Sequence, residues 1–79
     1  MQFKSISIEL TNGEVYTYSD GWEFNPTPFG IGVRKPNVDG YCEMELDLKR
    51  GTLYEHNLCE GVCTYVFFGI VKRFAVEME

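Results

Sequence analysis

Cys42, His56, Cys59 and Cys63 are the residues of this chain whose types could hold a metal. Zinc takes four soft or borderline ligands in a tetrahedron, and the short spacing from His56 through Cys59 to Cys63 would let three of them converge from one loop. Cys42 would have to be the fourth. It shares its even-numbered positions with Met44, Leu46 and Leu48, which marks it as a small core hydrophobe, and no Cys-x2-Cys pair is present. Three cysteines in a chain with no export signal favour free thiols in a reducing compartment over a Cys59–Cys63 bridge. A small zinc-stabilised structural module is therefore the alternative reading, and no cofactor is expected on the main one.

Catalysis finds little support. His56 is the only histidine, and a Cys-His nucleophilic pair needs a third orienting group and an oxyanion site, neither of which shows as a motif. There is no Gly-x-Ser-x-Gly and no phosphate loop, and Gly30-Ile31-Gly32 is not followed by the helix and third glycine of a dinucleotide site. Glu43 and Glu45 are paired carboxylates, but on an exposed strand nothing would raise one of their pKa values to make an acid. The expectation is a protein that is not an enzyme.

Glu43, Glu45 and Asp47 make the better candidate. They alternate with Cys42, Met44, Leu46 and Leu48, so the stretch reads as a strand with one dry face and one anionic face. Carboxylates on one strand face recur every 6.8 Å or so, and neighbours at that distance repel by about 0.6 kcal/mol in water before screening. A solvated face guarding a strand edge explains such a stripe, and so does a surface for a basic partner. DNA places a phosphate every 3.4 Å or so along one strand, about twice that density, so mimicry of nucleic acid would be crude.

A second surface could come from Trp22, Phe24 and Phe29 with Tyr16 and Tyr18. Aromatics beside prolines can anchor a partner or fold back as a lid over a sheet. The lid is expected for Phe24 and Phe29. The candidate partner-binding set is thus Glu43, Glu45, Asp47, Tyr16, Tyr18 and Trp22.

These residues need elements to hold them. Ser5 to Leu10 alternates, and Asn12-Gly13 leads into Val15 to Tyr18, the signature of a two-residue type I′ hairpin. Its pairing would be Leu10 with Val15, Glu9 with Tyr16, Ile8 with Thr17 and Ser7 with Tyr18, leaving one aliphatic face and one tyrosine-rich, polar face. From Ser19 to Gly40 the pattern breaks into Asp20-Gly21, Asn25-Pro26-Thr27-Pro28, Pro36-Asn37 and Val38-Asp39-Gly40, with a short strand at Phe29 to Arg34. Thr52 and Glu55 fit a capping box for a helix over Leu53 to Glu60 ended by Gly61, though Thr52 to Tyr54 would also serve as an edge strand. Val62 to Met78 reads either as one long strand bent at Gly69 or as two strands turning near Lys72-Arg73. Within it Val66, Phe67, Phe68, Ile70 and Val71 should be covered on both faces, with Lys72 and Arg73 as charged gatekeepers.

Composition sets the frame. With 79 residues the chain reads as one domain, 1–79, burying about 60% of its unfolded surface, too little for a large enclosed active site. Hydrophobic residues make up 44% and aromatics 15%, enough for a core. The formal charge of -5 argues against nucleic acid or an anionic membrane as a direct partner. No secretory signal and no apolar run near the roughly 20 residues of a membrane helix is seen. The expected fold is mainly β (β or α+β), an antiparallel sheet or barrel of five to six strands with room for one short helix near residues 53–60. No motif covers enough of the chain to name a family. The function expected is a non-catalytic binding module or inhibitor in the cytoplasm, its own or a host's. It would present its acidic strand face to a basic site on a larger, nucleic-acid-handling protein, by analogy with phage anti-defence inhibitors such as anti-CRISPR proteins.

Overall fold

A computed structural model of the chain describes residues 3–37 and 40–79. They form β1 (Phe3–Leu10), β2 (Val15–Tyr18), β3 (Glu23–Pro26), β4 (Gly30–Asn37), β5 (Gly40–Asp47), β6 (Thr52–Cys59) and β7 (Val62–Met78), with no helix among the described residues. The strands pair in the order β2-β1-β7-β6-β5-β4-β3, all neighbours antiparallel, in a sheet curled into a half-barrel. Seven strands exceed the five or six expected. The unforeseen one is β3, whose Asn and Pro hide a strand pattern but suit a short edge. Val38 and Asp39, read as part of a turn, lie outside the described residues.

β7 holds the sheet together. Its seventeen residues outrun the eight-residue β1 and β6, so residues 62–70 pair with β6 and residues 71–78 with β1. Of the two alternatives for this stretch, the single bent strand is the one formed. The register shifts opposite Leu53/Tyr54 and Glu9/Leu10 skip Phe68 and Lys72 respectively, placing bulges on both sides of the crossover. Gly69 sits there at φ +155°, and a Cβ on it would lie 3.0 Å from Leu10 Cδ1, so the bend needs glycine.

The first hairpin forms one register away from the expected pairing. Glu9 faces Val15, Ile8 faces Tyr16, Ser7 faces Thr17 and Ile6 faces Tyr18. Gly13 N–H donates to Leu10 O and Leu10 N–H to Glu14 O, while Asn12 Oδ1 accepts from Glu14 N–H at 2.9 Å. With Gly13 at φ +92°, this is a longer turn with a glycine bulge instead of a two-residue loop. A one-residue slip turns every side chain over. Tyr16 and Tyr18 therefore join Ile8 and Ile6 on the core face, and the tyrosine-rich outer face does not exist.

Residues 53–59 are strand, not helix, and Glu60 belongs to the turn that follows. So short a helix cannot hold without packing, whereas β6 gains ladders on both edges. The Glu55 carboxylate, instead of capping a helix, accepts a hydrogen bond from the Cys42 thiol on β5 at 3.1 Å. Glu60 and Gly61, both at positive φ, turn the chain from β6 into β7. The core combines Ile6, Ile8 and Leu10 of β1 and Tyr18 of β2 with Val33, Met44, Leu46 and Leu53 from β4, β5 and β6. Each such aliphatic side chain contributes about 1.5–3 kcal/mol by leaving water.

Candidate outer-face docking site

Antiparallel register sorts the candidate residues between the two faces of the curled sheet, because directly paired residues share a face. On the inner face Met44 lies beside Val33 and Glu55, and Cys42 beside Lys35 and Asn57. On the outer face Glu43 lies between Arg34 and His56, Glu45 between Gly32 and Tyr54, and Asp47 between Gly30 and Thr52. β7 adds the next row: Tyr65 beside His56, Phe67 beside Tyr54 and Ile70 beside Thr52.

The three carboxylates do occupy the face away from the core, yet they do not project into water as the alternation predicts. Asp47 is only 1% exposed and Glu45 7%, while Glu43 is half-buried. Glycine on β4 explains the cover. At Gly32 a Cβ would sit 3.2 Å from Thr27 Cγ2, so the bare backbone leaves room for the β3–β4 connection to fold down over the stripe. Thr27 Oγ1 then donates to Glu45 Oε1 at 3.4 Å. His56 Nε2 stands 3.8 Å from Glu45 Oε2, and its ring lies 5.1 Å from that of Tyr54 and 4.6 Å from that of Tyr65. Burial, followed by its hydrogen bond to Glu45, pushes the Tyr54 phenol up to about 12.

Asp47 has structural work. Its Oδ1 accepts from the backbone N–H of Lys49 at 2.9 Å and of Arg50 at 3.0 Å, its carbonyl accepts from Gly51 N–H at 2.8 Å, and Arg50 Nη1 lies 3.6 Å from Oδ2. These contacts close the β5–β6 turn, the role a short acidic side chain takes in Asx turns. Asp47 is thereby removed from the docking set on physical grounds.

The aromatic candidates also turn inward. Tyr18 is in the core, its ring 5.0 Å from that of half-buried Trp22. Tyr16 packs on Phe68 at 5.0 Å, and its hydroxyl donates to Glu14. Phe24 closes over the core edge, 5.6 Å from Phe3, as a lid should. Phe29 does not: it is exposed, with Lys49 Nζ 5.7 Å from its ring. None of Glu43, Glu45, Asp47, Tyr16, Tyr18 and Trp22 is freely exposed.

The zinc alternative fails on register parity. His56 belongs to the outer face, whereas Cys42 shares the inner face with Asn57, two positions from Cys59 on the same strand. Cys63, opposite Leu58, returns to the outer face beside Tyr65, whose phenol it pushes up chiefly through a hydrogen bond. All three thiols are free, and no cluster of three His, Cys, Asp or Glu side chains that could hold a metal occurs among the described residues.

The residues overlooked in the sequence are those of β7. Tyr65 is 65% exposed, Phe67 64% and Ile70 54%, in one row on the outer face, although cover on both faces was expected for Phe67 and Ile70. Their signal was strand length: a strand twice as long as its partners leaves part of itself uncovered. Among the described residues no helix is long and apolar enough to cross a membrane. No protein-family model matches the chain, and neither a curated protein nor a solved structure is significantly similar to it.

Proposed function

We propose that this chain is a non-catalytic protein-binding module whose docking surface is the outer face of β6 and β7. The observation that carries the reading is the row Tyr65, Phe67 and Ile70, each more than half exposed on one face of one strand. Isolated exposed apolar residues are ordinary, whereas a contiguous row of large ones, two of them aromatic, has the composition of an interface core. Beside it stand the half-buried Glu43 and the exposed Glu60 at the β6–β7 turn, and the segment Val62 to Val71 contains no charge of either sign. An apolar strip with an acidic margin suits a partner that offers an apolar strip with a basic margin. A nucleic-acid-handling protein has such surfaces, and an acidic module seated there would block it.

The test begins with a partner captured from cells that contain the chain, purified and titrated calorimetrically against wild type and variants. Phe67→Ser should weaken binding at least tenfold or so, as loss of a central aromatic anchor does. Glu43→Lys should weaken it less and mainly at low salt. Unchanged affinity in Phe67→Ser would overturn the proposal.

A further inference from the structure

The other half of β7 presents an open edge. Residues 72–78 pair with β1 along one edge only, because the β6 ladder ends at Ile70. Open edges invite pairing with another strand, and proteins blunt them with short strands, proline or charge. The outermost strands here are blunted that way: β2 and β3 are four residues each, and β3 ends in Pro26. The edge at 72–78 is longer and carries charge of both signs, with Lys72 and Arg73 at one end and Glu77 at the other.

We infer that this edge pairs antiparallel with the same edge of a second copy, about a twofold axis at Ala75. In that register Arg73 of each copy faces Glu77 of the other, and Phe74 faces Val76. The faces agree. Arg73 and Glu77 lie on the outer face opposite Glu9 and Ser5, while Phe74 and Val76 lie on the inner face opposite Ile8 and Ile6. Directly opposed, oppositely charged pairs stabilise a ladder, and like charges destabilise it. Arg73 engages Glu9 through Nε, at 2.7 Å, which leaves its terminal guanidinium nitrogens as the donors for Glu77 of a second copy. A cleft of about 380 Å³ runs along the edge between Leu46–Leu48 and Val71–Phe74, with Leu48 half exposed. An added strand would close it, covering Phe74 and Leu48 together. A pattern that reads positive then negative along one antiparallel edge is complementary to itself, which selects a second copy over an unrelated strand.

This surface is separate from the Tyr65–Phe67–Ile70 row, so the two can fail independently. Sedimentation equilibrium of the full chain at rising concentration should show a monomer–dimer equilibrium. Arg73→Glu and Glu77→Arg, each alone, should raise the dimer dissociation constant by roughly tenfold or more, since each places two like-charge pairs across the axis. Mixing the two variants should restore dimers, because the changed positions then face each other with opposite charge, whereas within each chain the contact of Arg73 with Glu9, or that of Glu77 with Lys4 Nζ at 3.2 Å, stays broken. Phe67→Ser should leave the equilibrium unchanged. A chain that stays monomeric at all concentrations, a mixture that does not recover, or dimers lost with Phe67→Ser would each overturn the inference.

Discussion

β5 and β7 reverse what their sequences lead one to expect. β5 alternates apolar with acidic residues, yet from Met44 to Asp47 it is buried on both faces. β7 runs through ten uncharged residues, yet most of its large side chains are exposed. The difference is one of position. β5 lies between β4 and β6 along its whole length, and a loop over Gly32 roofs its outer face. β7 spends each half of its length with a neighbour on one edge only. Side-chain pattern tells which residues share a face, while topology and loop cover decide whether that face is wet.

The sharpest way to break this contrast is Asp47→Ala. If the outer face of β5 is dry, the substitution removes the buried carboxylate that accepts from the backbone N–H groups of Lys49 and Arg50 and closes the β5–β6 turn. The expected cost is about 2–3 kcal/mol, a fall in Tm of roughly 10 °C or more for a chain of this size. Glu43→Ala, half-buried and outside that turn, should cost less than 1 kcal/mol or so. Denaturant titration of both variants checks the pair. Equal, small losses would mean that the stripe is solvated throughout.

Much of the architecture was legible because hydrophobic period is a direct image of strand pleat. β1, the core of β4, and β5 follow from it, whereas the bend at Gly69 was one of two readings that the glycine left open. The misreadings have local causes. Asn12-Gly13 fits both a two-residue loop and a longer loop with a glycine bulge, and the two differ by one register step, which carried Tyr16 and Tyr18 to the core. Thr52 and Glu55 satisfy a capping rule by coincidence, since only two flanking ladders show that β6 is a strand. The cover over Glu45 depends on where Thr27 lands, a contact between elements that no window of sequence contains. The exposed row Tyr65, Phe67 and Ile70 was hidden for the opposite reason, because a continuous apolar run is the pattern of a central strand whether or not its faces are covered.

The inner face of β5 gives a second, smaller test, through pH. Burial, then the hydrogen bond and charge of Glu55, pushes the Cys42 thiol up to about 11 from an ordinary value of 9.0. Burial also raises the phenols of Tyr54, to about 12, and of Tyr18. In each case the folded chain holds its proton more tightly than the unfolded chain. Stability is therefore fully present below about pH 9 and declines as pH rises toward 11 and then 12. Denaturant midpoints at about pH 8 and pH 10.5 should show the decline, and Cys42→Ser, which has no thiol to ionise, should flatten its first part. With a thiolate-selective alkylating reagent at mildly alkaline pH, the exposed Cys59 and Cys63 should react ahead of Cys42. A steep decline that survives in Cys42→Ser would assign the effect to the tyrosines alone.

The smallest expected effect on stability is the most informative about β7. Phe67 and Phe68 are identical neighbours placed in opposite surroundings: Phe67 is 64% exposed on the outer face, while Phe68 packs against Tyr16 and the core. Phe68→Ser should cost about 2 kcal/mol or more, as removal of a packed aromatic does. Phe67→Ser should change stability by no more than 0.5 kcal/mol or so, the usual range for a surface position. Unfolding curves of the two variants compare neighbouring positions of one strand, Phe67 in the ladder and Phe68 at the bulge, so position along β7 largely cancels and cover is the main variable. A loss in Phe67→Ser as large as in Phe68→Ser would mean that the outer row is already packed within the chain, and an apolar row packed within its own chain offers nothing to a partner.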